Sequence, residues 1–162
     1  MIVTYEQVLE WIEQYEVGAD VVMEAVMGLS EEQLTKRPNP EKWSIREIVA
    51  HLTDTEIVMV HRMRTVMAEG KGILTVFSQD EWIDELAAAK MPVSVAIDTL
   101  RALRAYHAAT LRQLPEKDLV TLMERTGTHE ADGDLSAFHL LQKAVTHLHH
   151  HTRQIAALRK NL

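Results

Sequence analysis

The chain has 162 residues, a formal charge of −7, 46% apolar residues and 25% charged residues, and these values predict a single globular domain over residues 1–162. The acidic charge argues against a nucleic-acid partner, because such binding depends on clustered lysines and arginines; pairs such as Arg101 and Arg104 are interpreted as solvated helix faces. No apolar run approaches the roughly 20 residues that cross a bilayer, and the N-terminus lacks signal-peptide features, so we expect a cytoplasmic protein without a membrane partner.

The first predicted element is a helix that begins after Thr4. Thr4 and Gln7 have the spacing of a capping box, and apolar residues then recur at helical spacing up to Gly28. The following stretch, LSEEQLTKRPNPEKW, contains two prolines that forbid a continuous helix. We therefore predict a connector with at most one turn after Ser30.

A second capping box, formed by Ser44 and Glu47, begins the next predicted helix. An apolar stripe runs along this helix until Gly70, where the sequence EGKG ends it. The stripe contains Ile45, Ile48, Leu52, Met59, Met63 and Val66. This pattern predicts a long amphipathic helix that buries one face.

The segment 71–91 has a mixed pattern. An extended piece, GILTVF, precedes Ser78 and Glu81, which we interpret as a third capping box at the start of a short helix. Pro92 suits the first turn of a third long helix, and Pro115 ends that helix. The apolar positions assigned to it are Val95, Leu100, Leu103, Tyr106 and Leu111.

Residues 116–133 contain the polar run GTHEADGD and are predicted to form a surface linker. A fourth long helix begins near Asp134 or Ser136 and continues toward the C-terminus. Four amphipathic helices without a convincing strand pattern predict an all-α antiparallel four-helix bundle with long connections, plus the short helix between the second and third helices. The Met- and Val-rich stripe of the first helix suits the core, although a homodimer interface could use it as well.

The stretch THLHHHTRQI, residues 146–155, holds four of the nine histidines. At about 100° per residue, His147 and His151 fall within the apolar arc of the fourth helix, whereas His149 and His150 lie outside it and are interpreted as solvated. Two imidazoles four residues apart can point at one metal ion. On spacing alone, the alternative is a pair of core histidines that hydrogen bond to the protein.

His51, at the border of the apolar stripe of the second helix, is the candidate for a third ligand. The chain has no cysteine, so a metal must be held by His, Asp or Glu. Asp54, one turn after His51, could orient a ligand or act as a base, and could equally be an exposed helix residue. No role is assigned to the histidines without a partner at ligand spacing, which are His61, His107, His129 and His139.

The sequence WSIREIVAHLTDTE, followed near the C-terminus by HLHHHTRQI, resembles the motifs of the DinB/YfiT-like superfamily of metal-binding four-helix bundles. The resemblance covers nearly the whole chain, including the stretches NPEKW and QDEW. It implies that His51, His147 and His151 bind one divalent transition metal, with zinc or nickel as the first expectation and iron as a further candidate. The adjacent His149 and His150 depart from the family pattern, and His150 is the alternative to His147.

Three imidazoles leave coordination positions open for water or substrate, as in catalytic metal sites. Similar proteins include metal-dependent hydrolases and thiol transferases that use low-molecular-weight thiols such as bacillithiol, mycothiol or glutathione. The resemblance therefore implies an enzyme of one of these types with a small-molecule substrate, the transferase slightly preferred, and it adds the expectation of a homodimer. The alternatives are a non-catalytic metal- or ligand-binding bundle of a stress response, and a bundle whose three histidines bind no metal.

Overall fold

The structure is a computed structural model that describes residues 3–161, so the predicted domain bounds, residues 1 and 162, lie outside the described residues. The helices are α1 (Tyr5–Glu16), α2 (Gly18–Val26), α3 (Glu31–Thr35), α4 (Ile45–Glu69), α5 (Gln79–Glu85), α6 (Val93–Arg112), α7 (Glu116–Glu124) and α8 (Ala137–Arg159). A 3₁₀ turn (Ala88–Lys90) follows α5, and β1 (Ile73–Leu74), β2 (Thr126–His129) and β3 (Gly133–Ser136) form one small sheet.

The bundle consists of α4, α6, α8 and the pair α1 and α2. Helix α4 packs against α6 and α8, and α1 and α2 pack against the same two helices. The predicted four-helix bundle, with the short helix α5 between its second and third members, is confirmed. None of the described helices combines the length and apolarity that crossing a membrane requires.

The first predicted helix is interrupted, because α1 ends at Glu16 and α2 begins at Gly18. The buried guanidinium of Arg104 donates from Nη1 to the Tyr15 carbonyl oxygen at 3.1 Å, and a Cβ on Gly18 would clash with Nη1. The prediction of one continuous helix is therefore wrong. The Tyr15 carbonyl accepts a hydrogen bond from this α6 side chain, whereas in a continuous helix it would accept one from the next turn.

Capping chemistry sets the ends of α4 as predicted. The Glu47 carboxylate accepts from the Ser44 N–H at 2.8 Å and the Ser44 hydroxyl accepts from the Glu47 N–H at 3.3 Å, while Gly70 ends the helix in a left-handed conformation with φ 72°. Helix α5 also begins after Ser78. The capping box with Glu81 is wrong, however, because the Ser78 side chain makes no cap hydrogen bond.

The buried face of α6 differs from the predicted apolar stripe. Val95 and Tyr106 are 52% and 62% exposed, whereas Arg104 and His107 are 2% and 1% exposed. The interpretation of Arg104 as a solvated side chain is therefore wrong. Its charge is compensated in the core by the carboxylate of Glu56, at 2.7 Å from Nη2.

Residues 116–133 do not form an irregular linker. They include α7, whose Leu119 and Met123 are buried, and an antiparallel hairpin in which Gly127 pairs with Leu135. Strand β1 joins β2 in parallel. The strands are too short to produce the alternating pattern that identifies a strand in a sequence, and the buried position of β2 is Gly127, which has no apolar side chain.

The core brings the candidate histidines together. Leu52 of α4 and Leu148 of α8 belong to one apolar cluster, and each is the chain neighbour of a candidate ligand, His51 and His147. The two helices that carry the candidate ligands are therefore held against each other by apolar packing next to the candidate site.

Candidate metal centre

Three histidine side chains converge between α4 and α8. The Nε2 atom of His147 lies 3.2 Å from Nε2 of His51 and 3.2 Å from Nε2 of His151. One ring nitrogen from each residue lies within 4.8 Å of the other two. The described residues thus place the three predicted ligands in one cluster.

Helix geometry explains why these positions meet. His147 and His151 are one turn apart, so their side chains lie on the same face of α8. His51 is 1% exposed, and the ring of Trp43 lies 4.8 Å from its ring. Burial and the Trp43 ring thus confine the His51 ring that reaches across from α4, while the pair on α8 is half-buried.

Burial keeps the cluster uncharged. Loss of hydration lowers the pKa of His51 to about 3 and that of His147 to about 4, and burial also lowers the pKa of His151. Neutral imidazoles present the unprotonated nitrogen that binds a metal. The site is therefore prepared for a cation by the same burial that disfavours protonation.

The donor set fits a divalent transition metal. Zinc–nitrogen bonds of about 2.0–2.1 Å in tetrahedral geometry separate ligand nitrogens by about 3.3 Å, close to the two distances of 3.2 Å found here. The cluster found among the described residues contains nitrogen ligands without a carboxylate. Such a set suits zinc, nickel, iron(II) or copper better than magnesium or calcium.

Two polar neighbours that sequence reasoning missed contact the cluster. Gln154 Oε1 accepts from His151 Nδ1 at 2.8 Å, which leaves Nε2 of that ring free to bind a metal. The hydroxyl of Thr55 lies 3.4 Å from Nε2 of His51 and 3.5 Å from Nδ1. Two spacings in the sequence could have indicated these contacts. Gln154 follows His151 by three residues and Thr55 follows His51 by four, so each pair lies on one helix face.

Asp54 lies apart from the cluster. It is not among its hydrogen-bond partners within residues 3–161, and it lines a separate cavity with Trp82; burial raises the pKa of its carboxyl group. His150 is exposed and His149 is half-buried, and neither belongs to the group of converging nitrogens. His147, rather than His150, occupies the position next to His51.

A cavity of about 490 Å³ opens beside the cluster. Its wall includes the α4 residues Thr55, Met59 and Arg62, the connection residues Val76, Phe77 and Gln79, the hairpin residues His129 and Asp132, and the α8 residues Lys143, Thr146, His147 and His150. Its volume lies in the range of small-molecule sites. His129, which has no partner at ligand spacing in the sequence, reaches this wall through the unpredicted hairpin.

This combination places the protein in the class of four-helix bundles with a histidine cluster between two helices. A family model described as the DinB superfamily matches residues 14–155, and the chain belongs to that superfamily. The predicted resemblance is thereby confirmed.

Relatives and a solved structure agree with the assignment. A protein named "Putative metal-dependent hydrolase" from Oceanobacillus iheyensis is 26% identical over 94% of this chain and 86% of its own length. A protein of the same name from Geobacillus thermodenitrificans is 29% identical over 96% of this chain and 85% of its own length. The structure of YfiT from Bacillus subtilis, described as "a probable metal-dependent hydrolase with an unusual four-helix bundle topology", matches with a TM-score of 0.88 at 22% identity, covering 98% of this chain and 89% of that chain. At that identity, the structural match shows the fold.

Proposed function

We propose that the protein is a metal-dependent hydrolase that holds one divalent transition metal with His51, His147 and His151. The observation that carries the proposal is the convergence of three buried or half-buried ring nitrogens within 4.8 Å. The names of the relatives support hydrolysis as the reaction type. Zinc and nickel are the first candidates for the metal, since both suit imidazole ligands.

The residues around the site prepare it for this role. When bound, a divalent ion of this kind lowers the pKa of a water ligand and polarises a carbonyl or phosphoryl oxygen. Gln154 fixes the proton of His151 on Nδ1, so that Nε2 faces the other two rings. Three protein ligands leave at least one coordination position of a tetrahedral ion for water or substrate.

The adjoining cavity suits a small-molecule substrate. Its apolar wall, with Met59 and Phe77, excludes water from part of the site. Arg62 lines the same cavity and donates from Nε to the Thr75 carbonyl at 2.9 Å, but it has no carboxylate partner among the ion pairs of residues 3–161. Its Nη2 is engaged with the Thr75 carbonyl and His129, while Nη1, which contacts the Met59 sulfur at 3.9 Å within residues 3–161, can orient an anionic group of the substrate.

A thiol transferase is the second candidate, because a thiolate would use the same open coordination position. The described cavity offers no group that singles out a thiol, and the relatives are named for hydrolysis, so we rank the hydrolase first. A non-catalytic metal-binding bundle ranks lower, because a cavity of about 490 Å³ is lined by His147 of the cluster and gives a substrate access there. The homodimer and the cytoplasmic location stay predictions.

Elemental analysis of untagged protein tests the metal site. We expect about one transition metal per chain in the wild type and its loss in His51→Ala, His147→Ala and His151→Ala. The matched control is His149→Ala, which removes a neighbouring histidine outside the cluster and should keep its metal. Metal that persists in all three ligand variants would refute the site.

Activity assays then separate the functions. The metal-loaded protein should cleave members of an ester, amide and phosphoester panel, and His147→Ala should lose that activity. Conjugation of a low-molecular-weight thiol to an electrophile without hydrolysis would favour the transferase instead. The absence of both reactions in metal-loaded protein would favour the non-catalytic bundle.

A further inference from the structure

His107 is a buried polar side chain that the metal centre does not use. It is 1% exposed, and neither ring nitrogen has a hydrogen-bond partner within residues 3–161. The ring of Tyr15 approaches it edge to face, with 6.0 Å between the centroids. Because buried polar atoms are almost always hydrogen bonded, an imidazole left without partners indicates a group that accepts a ligand.

A second cavity, of about 280 Å³, is lined by His107. Exposed Arg64 and buried Met67 line it as well, so the cavity leads from the surface toward the ring. Its wall shares no residue with the cavity of the metal centre. Its volume is just below the roughly 300 Å³ at which drug-sized sites begin, which limits the ligand to a small molecule.

One side of the cavity is polar and carries two guanidinium groups, of which that of Arg64 also lies 5.1 Å from the ring centroid of Tyr106. Arg64 Nη1 donates to the Thr110 hydroxyl at 3.4 Å, and Arg125 Nη1 donates to the Met67 carbonyl. Neither guanidinium takes part in an ion pair within the described range 3–161. Arg64 and His107 line the same cavity, and burial and, to a smaller extent, the charge of Arg64 lower the pKa of His107.

The other side of the cavity is apolar, with Leu114 and Leu122 in its wall. A ligand that satisfies both sides needs an anionic head and a hydrocarbon body. Guanidinium groups bind carboxylates with paired hydrogen bonds, and the neutral His107 ring can add one N–H donor. A phosphate without an apolar part would leave the leucine side in water.

We propose that this cavity is a second binding site, separate from the metal centre, for a small carboxylate with an apolar body, such as a medium-chain fatty acid. The carboxylate binds between Arg64 and His107, with Arg125 at the cavity wall, and the hydrocarbon chain packs against Leu114 and Leu122. The site would let such an acid stabilise the junction of α4, α6 and α7, whose residues line it.

Calorimetric titration of the metal-loaded full chain with octanoate tests the proposal. We expect one saturable site with a dissociation constant of about 1 mM or tighter. Arg64→Ala and His107→Phe should each weaken binding by about 10-fold or more, and Leu114→Trp should abolish it by filling the cavity. 1-Octanol, which has the same chain without the charge, should bind at least about 10-fold more weakly.

A carboxylate could also bind the metal centre, so the controls separate the two sites. Binding should be unchanged, within about 2-fold, in the ligand variant His147→Ala and in Arg62→Ala, which alters an arginine of the metal cavity. Binding lost in His147→Ala and kept in Arg64→Ala would overturn the proposal. So would the absence of saturable binding up to about 10 mM. Arg64 is exposed, so its variant decides the result even if His107→Phe fails to fold.

Discussion

Replacing Arg104 by methionine should strongly destabilise the protein, because this one guanidinium ties the bundle together. Nε donates to Glu56 Oε2 at 2.8 Å, Nη1 to the Tyr15 carbonyl at 3.1 Å and Nη2 to the Ala144 carbonyl at 2.9 Å. The Tyr15 hydroxyl also donates to Glu56. A side chain of α6 thus contacts α1, α4 and α8.

The magnitude follows from what the variant leaves behind. Glu56 is 2% exposed, so its carboxylate would stay buried with the hydroxyl of Tyr15 as its one remaining donor within residues 3–161. Breaking a buried ion pair from one side costs about 3–5 kcal/mol, a large part of the roughly 5–15 kcal/mol that stabilises a domain. At roughly 2–4 °C per kcal/mol for a chain of this size, the melting temperature should fall by about 6–20 °C.

Urea denaturation followed by far-ultraviolet circular dichroism measures the effect, with the m-value as a check on two-state unfolding. The matched control is the double variant Glu56→Gln/Arg104→Met, which removes both charges. It should be more stable than the sum of the single changes predicts, with a coupling energy of about 1–3 kcal/mol. A loss below about 1 kcal/mol in Arg104→Met, or strictly additive single changes, would refute this account of the core.

Three further predictions concern single side chains. Gln154→Leu removes the acceptor of the His151 Nδ1 proton and should raise the metal dissociation constant by about 10- to 100-fold; an unchanged constant in chelator competition would remove Gln154 from the site. Gly18→Ala places a Cβ against Arg104 and should lower the free energy of unfolding by about 1–3 kcal/mol in urea titrations, and a loss below about 0.5 kcal/mol would contradict the close packing. Burial lowers the pKa of His107 from 6.5 to about 4, because the folded state disfavours the protonated ring. A neutral ring therefore contributes to the stability of the folded state. This contribution is complete above pH 6.5 and is lost as the pH falls to about 4, by up to about 3 kcal/mol. His107→Leu should therefore lose less stability than the wild type between about pH 7 and pH 4, and equal losses would argue against the prediction.

The long helices could be predicted because their signals are local. Ser44 and Glu47 mark the start of α4 and Gly70 marks its end, and the structure uses all three as caps. The interruption before Gly18 had no local signal, since it depends on a guanidinium supplied by Arg104, far along the chain. The apolar period also mispredicted the buried face of α6. A polar side chain with a buried partner lies in the core there, whereas the prediction assigns only apolar residues to the core.

The residues of the candidate site also fall into those that local spacing predicts and those that depend on distant parts of the chain. Helical spacing places His147 and His151 on one face but also allowed a pair of core histidines. The assignment of His51 as the third ligand rested on its border position and on the resemblance, because no local rule relates a residue of α4 to one of α8. Thr55 contacts His51 within residues 3–161, while Asp54, one position earlier, points to another cavity. A step of one residue turns a helix by about 100°, so spacing along one helix could not choose between them without the position of α8.

The part of the chain that was hardest to predict is also the part that shapes the cavity beside the histidine cluster. The bundle supplies the cluster through α4 and α8, but His129 and Asp132 come from the β2–β3 hairpin, and Phe77 comes from the connection after β1. These short segments are held in place by the Arg62 guanidinium, which donates from Nε to the Thr75 carbonyl at 2.9 Å and lies 3.4 Å from His129 Nε2. Changes in the hairpin should therefore alter which substrate is accepted without loss of metal, whereas changes in the bundle histidines should remove the metal itself. Metal content and substrate preference, measured on the same hairpin variants, would separate these two roles.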